Sequence, residues 1–169
     1  MEMKNIVILH NIRSALNVGA IMRTAEGFSA EAVVFSGYTP RVHDTSLLPH
    51  LREKLDAQIH KTALGAEEMM ELENSSDVLA TLAELKKQGW RLVGLENNIS
   101  DERLISLRDG ARIRELGEKR VLVLGEEVNG IPEALFPALD VFVEIPMKGR
   151  KESFNVSVAT GVALWELTR

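Results

Sequence analysis

Three stretches of this chain set polar side chains at fixed spacing beside apolar runs. "NVGAIMRT" (17–24) holds Asn17 and Arg23 within two helical turns, and "VLVLGEEVNGI" (121–131) puts Gly125, Glu126 and Glu127 directly after an apolar run. "IPMKGRKESFNVSVA" (145–159) carries Ser153, Asn155 and Ser157 at alternate positions. An Arg flanked by Met22 and Ala25 is either a surface cation on an apolar stem or a fixed charge for phosphate or carboxylate. Glu126 and Glu127 suit a general acid/base pair or acceptors for ribose hydroxyls, and equally a solvated turn. Ser153 or Asn155 is a good helix N-cap, and the free amides of a helix start favour an anionic group such as a carboxylate. Capping consumes one such residue, so this helix start has hydrogen-bonding groups to spare. No Gly-Lys-Ser/Thr follows the strand and no G-x-G-x-x-G occurs, which disfavours an ordinary doubly wound nucleotide binder.

The elements that must position these residues are legible as alternating patterns. Residues 5–10, 32–36, 90–95, 120–125 and 140–145 are nearly continuous, β-branched apolar runs, as strands buried on both faces are. Val18, Ile21, Met22 and Ala25 follow helical spacing, with Asn17 as a possible cap and Gly27 as a stop. Val78, Leu79, Leu82 and Leu85 make a second helix after Ser75 and Ser76, ending at Gly89. The alternation predicts an α/β fold with a mainly parallel sheet. In such sheets ligands bind outside the carboxyl ends of the strands, and each polar stretch follows a strand, so the three are expected to face one crevice. Residues 37–74, with Pro40, Pro49 and a helix through Leu51, Leu55 and Ile59, and the charged residues 97–118 read as candidate substrate-facing insertions. The last helix is apolar almost all round, which places it deep in the core or at a subunit interface.

At 169 residues the chain fits one domain, and the absence of cysteine excludes disulfides and thiolate chemistry. Its net charge of -5 is the wrong sign for a generic nucleic-acid binder, so any RNA role rests on a local patch. Lys148, Arg150 and Lys151 form one such cluster, and Arg13, Arg23 and Arg41 lie near the first segments. The N-terminal apolar run is too short for a signal peptide or a span, and a cytoplasmic protein is expected.

Taken in order, the three stretches resemble the SpoU/TrmH family of SPOUT-class RNA methyltransferases. Its motifs Asn-x-Gly-x-x-x-Arg-Thr, Gly-x-Glu-x-x-Gly-Ile/Leu and Ile-Pro-Met-x-Gly-x-x-x-Ser-Leu-Asn-Val-Ser-Val-Ala appear at 17–24, 125–131 and 145–159, with Phe154 in place of the usual Leu. The resemblance covers essentially the whole chain. It implies a SPOUT α/β knot, a mainly parallel sheet with a C-terminal trefoil knot, which is an exception to the rule that chains avoid threading. It also implies S-adenosyl-L-methionine as cofactor and methyl transfer to a ribose 2'-hydroxyl of RNA, with tRNA ahead of rRNA. A homodimer with its site at the interface would do this without metal or membrane. The implied catalytic residues are Arg23, Asn17, Glu127, Ser153 and Asn155, with Arg23 activating the hydroxyl. The implied cofactor contacts are Leu124, Gly125, Glu126, Gly130, Ile145, Met147, Ser153, Phe154 and Asn155. Residues 1–169 are expected to be a single methyltransferase domain without the separate RNA-recognition domain of many relatives. The alternative of another class is a catalytically silent, knotted RNA-binding module.

Overall fold

A computed structural model describes residues 3–169. Seven strands run in chain order: β1 (Lys4–His10), β2 (Ala32–Ser36), β3 (Glu71–Ser75), β4 (Arg91–Leu95), β5 (Leu104–Ser106), β6 (Lys119–Leu124) and β7 (Val141–Glu144). Five α-helices accompany them: α1 (Ala15–Gly27), α2 (Pro49–Ala63), α3 (Val78–Lys87), α4 (Gly110–Arg114) and α5 (Val156–Leu167). The strands form one sheet in the order β3-β2-β1-β6-β4-β7-β5, and every pairing is parallel. Val7, Leu9, Val33 and Leu122 point to the face that carries α1 and α5, while Ile8, Val34, Val121 and Phe142 point to the other, beneath α3. Because both faces are covered, the central strands read as unbroken apolar runs rather than alternating ones.

Two strands depart from the sequence expectation. β3 ("ELENS") and β5 ("LIS") close the two sheet edges inside the segments expected as insertions. An edge strand has one open side, so polar and short sequences serve there. Leucines of the second segment are core residues instead: Leu107 and Leu116 are buried with Ile105 and Ile113. In the first segment α2 packs on α1 through Gly19, where a Cβ would fall 2.2 Å from the Ile59 carbonyl oxygen. Only glycine permits that helix contact.

Helix ends follow local chemistry. Ser14, not Asn17, caps α1, its hydroxyl accepting from the Asn17 amide at 3.2 Å. This frees the Asn17 side chain, one turn in, to reach sideways. Asp77 caps α3 in the same manner, accepting from Ala80 at 3.1 Å. At the opposite end of the sheet Arg120 is only 1% exposed. It donates to the carbonyl of Leu167 at the end of α5 and, at 3.4 Å, to that of Ile113 at the end of α4, where helix C-termini favour a cation. Among the described residues no helix is long and apolar enough to cross a membrane.

Candidate active site

The loops that leave β1, β6 and β7 meet at the carboxyl edge of the sheet, and Glu127 ties the first two together. Its carboxylate accepts from the Arg13 amide at 3.0 Å, the Ser14 amide at 3.1 Å and the Asn17 side chain at 3.0 Å. Asn17 then accepts, through Oδ1, from the Asn155 side-chain amide at 3.1 Å. Asn155 is the N-cap of α5 and accepts from the Ser157 amide at 2.9 Å and the Ser157 hydroxyl at 2.6 Å. An unbroken hydrogen-bonded chain, Glu127–Asn17–Asn155–Ser157, therefore joins the three polar stretches. Each amide flip is fixed by its neighbours, since an acceptor at one end sets the donor at the next. Burial pushes the Glu127 carboxyl upward, but donors from Arg13, Asn17 and Ser14 outweigh it and hold the group below its ordinary value.

Beside this chain lies a cavity of about 330 Å³. Leu124, Gly125, Glu126 and Gly130 form one wall, and Ile145, Ser153, Phe154 and Asn155 form another. The first wall is a tight turn, with the amide and carbonyl of Glu126 bonded to the carbonyl and amide of Gly130 at 3.0 and 2.8 Å. A Cβ on Gly125 would lie 2.2 Å from the Gly130 carbonyl carbon, so the strand end must be glycine. Gly130 has φ +69°, in the left-handed region. Glu126 is buried and paired with the Arg13 guanidinium at 2.6 Å, while Asn129 donates to its other oxygen.

Other expected site residues sit elsewhere. Met147 is partly buried and does not line the cavity. Arg23 is exposed on α1 and makes no hydrogen bond or ion pair among the described residues. It adjoins Thr24, which lies with Ala20 against Val158, Val162 and Trp165 of α5 in a shallow apolar groove. These three α5 side chains are 52%, 37% and 58% exposed.

The sequence patterns gave no sign of Glu96 and Asn97, which follow β4 and line the cavity. The Asn97 amide donates to the Ile145 carbonyl at 3.0 Å and accepts from the Ile145 amide at 3.0 Å, and also donates to the Glu152 carbonyl at 3.2 Å. Glu96 accepts from the Ile131 amide at 2.8 Å, and its carboxylate fills the space a Gly130 side chain would occupy. A Glu-Asn pair after a strand matches no motif, and its place between two walls comes from strand order alone.

A parallel sheet covered on both faces, with a cavity at its strand ends, defines an α/β protein whose cavity lies where such sheets bind ligands. The chain belongs to the SpoU rRNA Methylase family, whose model matches residues 4–165. The mouse tRNA (guanosine(18)-2'-O)-methyltransferase TARBP1 is 31% identical over 97% of this chain and 9% of its own length. The 23S rRNA (guanosine-2'-O-)-methyltransferase RlmB of Pseudomonas putida is 30% identical over 97% of this chain and 58% of its own. The chain thus spans less than two thirds of these curated relatives. The AdoMet-bound rRNA methyltransferase from Sinorhizobium meliloti shares the fold, with a TM-score of 0.78 and 21% identity over 99% of this chain and 56% of that one.

Proposed function

We propose that this chain is an S-adenosylmethionine-dependent RNA methyltransferase acting on a ribose 2'-hydroxyl, with tRNA as the leading substrate. The observation that carries the reading is the Glu127–Asn17–Asn155–Ser157 chain, which joins the three family motifs at the rim of one cavity. Relatives named for tRNA and for 23S rRNA both match, so rRNA is the second reading.

The cavity fits the cofactor in kind. Its volume of about 330 Å³ lies at the lower end of the ~300–1,000 Å³ typical of small-molecule sites. Leu95, Leu124 and Ile145 offer an apolar slot for a purine, and Glu96, Ser153 and Asn155 offer polar partners for a sugar and an amino acid. When bound, the sulfonium supplies an electrophilic methyl group. The protein's own part is positioning: Glu127 fixes Asn17, and Asn17 fixes Asn155 at the cavity rim. Arg23, with no acid partner among the described residues, is available to an RNA phosphate or to the alkoxide charge that develops on the hydroxyl. A guanidinium is a poor base, so orientation and charge stabilisation are its expected contribution. Lys148, Arg150 and Lys151 are exposed in the loop that leads to Ser153 and make no ion pair among the described residues, leaving them free for phosphate.

The same reading takes the exposed α5 strip as a homodimer face, which would set Arg23 beside a second copy. It also takes loops 125–131 and 145–155 as the knotted loops of the family. Isothermal titration with S-adenosylhomocysteine tests the cofactor assignment, and no binding at millimolar ligand would sink it. Mapping 2'-O-methylation in RNA from cells with and without the protein tests the substrate: a site lost with the protein in tRNA supports the first reading, and one in rRNA the second.

A further inference from the structure

We infer that Glu96 is the residue that recognises the ribose diol of the nucleoside cofactor, an inference that rests on the methyltransferase reading above. Two observations place it. The first is strand order. Glu127 lies in the loop after β6 and Asn17 in the first turn of α1, the helix after β1, whereas Glu96 follows β4, on the far side of β6 from β1 and next to β7. Neighbouring strands lie ~4.8 Å apart, so Glu96 stands about one strand spacing from the loop after β6 and about two from the segment after β1. With the reacting methyl at the Asn17 end, the nucleoside half of the ligand falls beside Glu96.

The second is unused bonding capacity. Glu96 accepts from the Ile131 amide at 2.8 Å and from its neighbour Asn97 at 3.3 Å. A carboxylate has about four acceptor positions, and no cation pairs with this one among the described residues. Burial raises the Glu96 carboxyl above its ordinary value, and these two amides only partly offset that. A desolvated carboxylate on a cavity wall, without a cation, calls for neutral donors, and a vicinal diol presents two. Glu126 and Glu127 do not meet this description. Glu126 is paired with Arg13, and Glu127 already accepts three donors.

The test is calorimetric binding of S-adenosylhomocysteine and its 2'-deoxy and 3'-deoxy forms to the parent and to Glu96→Gln. The parent should bind at least one deoxy form about tenfold or more weakly than the intact ligand, because a hydrogen bond to a charged group is lost. In Glu96→Gln that ratio should shrink to within about threefold, with the melting temperature little changed. Equal parent affinity for all three ligands overturns the assignment and needs no variant. A variant that binds more weakly but keeps the full ratio also overturns it, leaving Glu96 as a clamp on Ile131. No parent binding at all removes the cofactor reading as well, so the two failures are distinguishable.

Discussion

Among single residues, Arg23 and Glu127 differ in how they should fail. Among the described residues Arg23 has no partner to lose, so Arg23→Ala should leave the fold and S-adenosylhomocysteine affinity within about twofold while methyl transfer drops about a hundredfold or more. Single-turnover methylation beside calorimetry separates the two, and parental activity would remove Arg23 from the mechanism. Glu127 is a structural hub as well as a candidate site residue. Its folded value is depressed, so its stabilising contribution is present above the ordinary carboxyl range, about pH 4.5, and is lost as pH falls through the lower folded value. Glu127→Gln should therefore melt below the parent at neutral pH, and the gap should close under acid. A gap that stays constant from pH 7 to pH 3 would show that the hub does not act through its charge. Ser157, unassignable from sequence beyond its place at the helix start, is explained by its hydroxyl donating to Asn155.

At the level of elements, contacts made by backbone alone are the least tolerant. Gly19→Ala would drive a methyl into Ile59 and Thr62 and should destabilise by about 1–3 kcal/mol, measurable as a lowered denaturation midpoint. An unchanged midpoint would mean that α1 and α2 slide apart freely. The buried strands and the helices they alternate with were legible in sequence because burial on both faces writes itself as unbroken apolar runs. β3 and β5 were not, since an edge strand needs only a neighbour on one side and β5 is three residues long. The helix caps were legible to within a few residues, with Ser14 taking the place expected for Asn17. Candidate site residues on α1 and on the loops after β6 and β7 carry motif spacing that a sequence displays. Glu96 and Asn97 carry none, because their partners, Ile131 and Ile145, become neighbours only when β4 inserts between β6 and β7.

For the whole molecule, the exposed apolar face of α5 is the surface that the proposed homodimer would use. Trp165, 58% exposed, meets Phe28 edge-on with ring centroids 6.4 Å apart and borders the groove beside Thr24. If this face is the homodimer contact, light scattering on the eluted protein should give twice the chain mass, and Trp165→Glu should give the chain mass with the melting transition retained. A monomeric parent would overturn the homodimer, and a variant that stays at twice the chain mass would place the interface elsewhere.

The bond between Asn17 and Asn155 spans 138 positions of chain. Such long-range closure is slow and comes late, because loop entropy must be overcome before the contact forms. A nascent chain emerging from the ribosome would have its first strand and helix long before it had the residue that completes the site. On the proposed function, ligand capture waits until Asn155 has been made, because a shorter nascent chain lacks the residue that joins Asn17 at the cavity rim.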